Sequence, residues 1–96
     1  MRVRYTTRAR RDLDAIFEYI DERAPAATRS VKSALGRSVS RLGTFPSAGP
    51  AVDLAGIREL SLTRYPNKIF YRVSKDEVQI LHIHDARRRP WIAERV

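Results

Sequence analysis

The spacing of apolar positions changes twice along this chain of 96 residues, and each change marks a new kind of element. Arg2-Val-Arg-Tyr5 alternates and is short, which predicts an edge strand. Thr6 or Thr7 is placed to cap a helix. Leu13, Ile16, Phe17 and Ile20 then fall at i, i+3, i+4 and i+7, one apolar stripe along an amphipathic helix. Asp12 and Asp14 sit in its early turns, where the helix dipole favours anions. Ala24-Pro25-Ala26 breaks the helix. A second helix comes next, with Ala27, Val31, Ala34, Leu35, Val39 and Leu42 inward and Arg29, Lys32, Arg37 and Arg41 outward. Two helices joined by so short a break predict an antiparallel hairpin.

Phe45-Pro-Ser-Ala-Gly-Pro50 closes the helical part with turn residues, and beyond it the period shortens. Gly56 to Leu62, Lys68 to Val73 and Val78 to His84 read as three strands. Thr63 to Asn67 and Ser74 to Glu77 are links short enough to make them antiparallel neighbours. In the last strand Val78 and Ile80 should face one way and Leu81 and Ile83 the other, as on a central strand. The expected architecture is a single α+β domain over residues 1-96, ordered β-α-α-β-β-β, its antiparallel sheet covered on one face by the helical hairpin.

A hydrophobic content of 43% with 31% charged residues suits one modest core rather than two. The absence of cysteine excludes disulfides, thiolate metal sites and a thiol nucleophile. No run approaches the 18 or so apolar residues that span a bilayer, and the N-terminus lacks a signal-peptide core, so a cytoplasmic location without membrane attachment is expected. Charge says more. Nineteen Lys and Arg, sixteen of them Arg, stand against eleven acids for a net +8. Such a field draws nucleic acid, anionic membrane or an acidic protein segment. Acids crowd the first helix (Asp12, Asp14, Glu18, Asp21, Glu22), while both chain ends are basic. At the C-terminal end a strand runs directly into His82, His84, Asp85, Arg87, Arg88, Arg89 and Trp91, a run suited to a polyanion or an acidic partner.

These elements carry a recurring set of marks. They are Ala9-x-x-Asp12-Leu13-x-x-Ile16-x-x-Tyr19-Ile20, Leu42-x-x-Phe45-Pro46-x-x-Gly49 and Gly56-x-Arg58-Glu59-Leu60. After them come Tyr65-Pro66-x-x-Ile69-x-Tyr71-Arg72-Val73 and Val78-x-Ile80-Leu81-x-Ile83-His84-x-Ala86-Arg87. In order and spacing the chain resembles the ParE/RelE superfamily of toxins from bacterial type II toxin–antitoxin (plasmid stabilisation) modules. The resemblance implies a growth inhibitor that forms a hetero-oligomer with a cognate antitoxin, whose acidic C-terminal tail would suit a +8 surface. It also implies one of two targets. RelE-like members are ribosome-dependent mRNA endonucleases; ParE-like members lack that nuclease constellation and poison DNA gyrase.

Cleavage of RNA through its 2′-hydroxyl needs a proton acceptor, a proton donor and cations around the developing phosphorane charge. His82 and His84, two apart on one strand face, are the candidates for proton transfer. Arg87, Arg58 and Lys68 could supply charge, and Trp91 could stack on a base. Each has a structural alternative as well. A strand histidine among apolar neighbours is often a hydrogen-bonded core residue. Arg58, on the face of Leu60 and Leu62, either meets a target or pairs with a carboxylate on the sheet. Tyr71 reads as core, and Arg88 and Arg89 as a rim of general attraction. His-x-His lacks a third metal ligand, since Asp85 points to the other face, so neither metal nor cofactor is expected. Against the nuclease branch, Leu60 and Leu62 stand where further basic residues would be expected, and Trp91 cannot act as acid or base. The reading is therefore a ParE-like toxin. A RelE-like nuclease and a non-toxic basic nucleic-acid-binding module are the alternatives.

Overall fold

The computed structural model describes residues 1-52 and 56-85. Six elements occur in the expected order: β1 (Arg2–Tyr5), α1 (Thr7–Arg23), α2 (Pro25–Thr44), β2 (Ile57–Ser61), β3 (Asn67–Ser74) and β4 (Glu77–Asp85). Thr6 is the N-cap of α1, its hydroxyl accepting from the Ala9 amide. Ala24 ends α1, and Pro25 opens α2 at a position where its missing N–H costs nothing. The helices fold back on one another, so that the Lys32 ammonium lies 5.0 Å from the centre of the Phe17 ring.

The sheet runs in the order β1-β4-β3-β2. Strands β2, β3 and β4 are antiparallel, and β1 joins β4 in parallel, which makes the sheet mixed. The parallel pairing arises from the chain path: α1 and α2 carry it away from β1 and two antiparallel steps bring it back. The hairpin covers one face. There Val31, Leu35, Val39 and Leu42 of α2 and Ala9 of α1 meet Ile69, Tyr71, Val78, Ile80 and Ile83, and the half-buried stripe of Leu13, Ile16, Phe17 and Ile20 packs around them. Full burial of such a side chain is worth about 1.5–3 kcal/mol, so this cluster fixes where the helices sit. A second, smaller cluster of Ile57, Phe70 and Leu81 with Val52 lies on the opposite face.

One expectation about β4 fails. Ile83 shares the face of Val78 and Ile80, and Leu81 alone turns to the opposite cluster. The cause is a β-bulge: Phe70 pairs with His82 but Tyr71 with Ile80, which leaves Leu81 as an extra residue. One inserted residue shifts the alternation of every side chain beyond it.

Candidate functional site

Strand β1 ends at Tyr5, opposite Ile80, so the edge of β4 beyond Ile80 has no β1 partner. Buried backbone groups need partners, and the start of α1 supplies them. The Thr6 amide donates to the Ile80 carbonyl at 3.0 Å, and its hydroxyl lies 2.9 Å from that oxygen and 3.2 Å from the Leu81 carbonyl. One turn further on, Asp12 Oδ2 accepts the Ile83 amide at 3.0 Å and lies 2.6 Å from His82 Nδ1. A carboxylate can only accept, so His82 Nδ1 carries a hydrogen and donates it. Asp12 therefore sits in the second turn of α1 to bind the sheet edge. Its position is not explained by the helix dipole, whose influence fades within the first turn.

His82 is 7% exposed. Its ring stacks on Phe70 at 6.1 Å between centroids, and the ring of His84 lies 5.4 Å away. The two histidines share a face, as their spacing predicts. Lys68 stands directly across from His84 in the β3–β4 register, with its ammonium 3.0 Å from the Glu59 carboxylate. Arg58 does not join them. It pairs with Tyr71 on β3, three residues from Lys68 and so on the other face of the sheet. There its Nη1 donates to the Gly49 carbonyl at 2.8 Å, a backbone partner rather than the carboxylate that was one expectation.

That bond belongs to a clamp on the loop after α2. The Tyr71 hydroxyl accepts the Gly49 amide at 2.9 Å and donates to the Pro46 carbonyl at 2.8 Å. Tyr71 is fully buried, a core position as its strand face predicts. A Cβ on Gly49 would lie 2.6 Å from the Glu59 carbonyl oxygen, so only glycine fits there. Three of the sequence marks, Phe45-Pro46-x-x-Gly49, Arg58 and Tyr71, are thus the parts of one structural joint. Arg87, Arg88, Arg89 and Trp91 lie outside the described residues.

Beside the Asp12–His82 seam an open groove of about 600 Å³ runs between α1, the corner at Ala24 and the ends of β3 and β4. Ile16, Ile20, Val31 and Tyr65 contribute apolar lining, and Tyr19, Arg23, His84 and Asp85 line it as well. The Arg23 guanidinium lies 3.7 Å from the centre of the Tyr19 ring, and among the described residues Tyr19 is one of three large apolar side chains left exposed. Sequence reading did not single out Tyr19, Tyr65 or Asp12 as site residues. All three stand among the recurring marks, and Tyr19 carries a further signal as an aromatic beside the apolar stripe of α1 without a place in it.

Residues 3–90 match the model of the ParE toxin of the type II toxin–antitoxin system parDE. The Sinorhizobium fredii protein Y4kP is 38% identical over 85 residues, covering 86% of this chain and 88% of that protein. Among solved structures, a chain of the chromosomal ParDE toxin–antitoxin system from P. aeruginosa superposes with a TM-score of 0.78 at 30% identity. A chain of the RelBE2 toxin–antitoxin complex from Mycobacterium tuberculosis does so with a TM-score of 0.53 at 26% identity. Each of these two alignments covers 88% of this chain and 95% of the other.

Proposed function

The chain belongs to the ParE toxin family of type II toxin–antitoxin systems, and from that premise we propose that it arrests growth by binding an essential protein, DNA gyrase, rather than by cutting RNA. The observation that carries this reading is the state of His82. Its Nδ1 is taken by Asp12, its ring is stacked on Phe70, and it is nearly inaccessible, so it serves to hold α1 on β4. Lys68 is engaged by Glu59, and Arg58 faces the opposite side of the sheet. Arg58 is thereby removed from the set, and His82 and Lys68, although on the face of His84, are each committed to a carboxylate, whereas phosphoryl transfer needs its cations and proton carriers free to meet the reacting atom.

The partner that keeps such a toxin silent is a cognate antitoxin, and the groove beside α1 suits a segment of it. Its apolar lining accepts side chains spaced along a helix or an extended peptide, the usual form of helix-in-groove recognition. Acidic residues flanking that segment would be drawn by the +8 chain. Tyr19→Asp should therefore weaken antitoxin binding at least tenfold while leaving toxicity intact.

Regulated expression with parallel readout of the DNA-damage response and of translation tests the choice of target. Induction of the damage response ahead of any fall in translation supports gyrase poisoning. Immediate translation arrest with cleaved ribosome-bound message, lost in His84→Ala, refutes it and transfers the activity to the RelE-like reading.

A further inference from the structure

The cations of this chain are not spread evenly over its two helices. α1 carries five acids against four arginines, whereas α2 carries Arg29, Lys32, Arg37 and Arg41 and no acid at all. All four are exposed, and none of the ion pairs among the described residues involves α2. Lys32 leans back over Phe17. Arg29, Arg37 and Arg41 project from the side opposite the buried Val31, Leu35, Val39 and Leu42 and span about 18 Å of helix. Between them the surface is small and hydroxylated: Ser33, Gly36 and Ser40. A Cβ at Gly36 would meet nothing within 4 Å, so packing inside the chain does not call for glycine there.

We propose that this face of α2 is a docking site for the phosphate backbone of duplex nucleic acid. The inference goes beyond the toxin reading and holds whatever the toxin's target. Cations at fixed spacing on a stiff helix, with serine hydroxyls between them, are the groups that bind phosphate oxygens without reading bases. The low ridge at Gly36 lets the helix backbone come close to a strand. Charge complementarity selects this occupant over the others. A second copy would set one acid-free basic face against another. An anionic membrane holds a basic helix firmly when an apolar face inserts beside the charge, and the apolar face of α2 is buried in the core. A protein partner would want large apolar anchors, but the exposed ones among the described residues are Met1, Tyr19 and Phe45, none of them on α2. Single strands need aromatic stacking platforms, which α2 also lacks.

Fluorescence anisotropy of a fluorescein-labelled 20-base-pair DNA duplex with the purified full chain, between 50 and 200 mM KCl, tests the proposal. Each phosphate contact contributes about 0.9 to the slope of log affinity against log salt. The triple variant Arg29→Gln/Arg37→Gln/Arg41→Gln should lose about 2.7 of that slope and bind at least about tenfold more weakly at 50 mM salt. A control with the same charge removed elsewhere, Arg64→Gln/Arg72→Gln/Lys75→Gln, should lose less than half as much. Gly36→Glu should weaken binding with an unchanged circular dichroism spectrum. The proposal is overturned if the α2 variant binds like the parent, if the control loses as much, or if poly-glutamate of equal charge binds more tightly than the duplex.

Discussion

At the scale of single residues, Asp12 shows how one carboxylate can fasten two elements. It accepts the Ile83 amide of the sheet edge and holds the His82 ring, a role that its place among the recurring sequence marks does not reveal. An acid in the second turn of a helix looks like surface until the bare edge of β4 beyond Tyr5 is seen. Asp12→Ala strands both partners, and the cost of such a loss is about 2–3 kcal/mol, read as a lower midpoint in urea denaturation. The loop clamp is similar. Arg58 and Tyr71 were legible as marks, but their common partner, Gly49, becomes visible only when β2 and β3 are paired. Tyr71→Phe leaves the Gly49 amide without its acceptor and should cost about 1–3 kcal/mol. Two positions can be improved instead. Lys75 turns the β3–β4 hairpin at φ 52°, which glycine adopts without strain, so Lys75→Gly should raise the thermal midpoint. Gly36→Ala removes the helix penalty of glycine, about 1 kcal/mol, at a site with open space.

At the scale of elements, periodicity predicted all six and placed most boundaries within a residue or two. It missed the bulge at Leu81, because an unpaired residue is defined by the register of the partner strand and not by its own sequence. Strand β1 and its pairing with β4 carry two groups whose titration is shifted by their surroundings. Glu77 accepts from the Gln79 amide and from Arg4, which lower its pKa from 4.5; Tyr5 is half-buried, and desolvation raises its pKa from 10.0. A lowered carboxylate pKa adds stability above about pH 4.5 that is lost as pH falls through the folded value. A raised phenol pKa works in the other direction: its stability is present below about pH 10 and lost as pH rises through the folded value. The β1–β4 pairing should loosen at both extremes. In hydrogen exchange of the β1 amides, Glu77→Gln should flatten the acid limb and Tyr5→Phe the alkaline limb. A limb that keeps its shape in the matching variant would place the titrating group elsewhere.

At the scale of the whole molecule, the fold and the family were both readable from the order of modest marks, since each mark is a packing or turn requirement of one architecture. The target was not readable in the same way. His82, His84, Arg87, Lys68 and Arg58 look like one catalytic set in the sequence; the pairing of β2, β3 and β4 separates Arg58 from Lys68 and the histidines, the α1 contact commits His82 to Asp12, and Arg87 lies outside the described residues. What remains is a basic surface, an open groove at one end of the hairpin and an acid-free helix along its side. The groove is a feature that suits a bound protein segment, and the acid-free face of α2 is the one proposed for nucleic acid. The most direct measurement is gyrase-catalysed supercoiling of relaxed plasmid in the presence of the purified chain. The account predicts that stoichiometric toxin inhibits supercoiling and accumulates cleaved gyrase–DNA complexes, with His82→Ala active wherever it still folds. Unchanged supercoiling at concentrations of chain that arrest growth would contradict it.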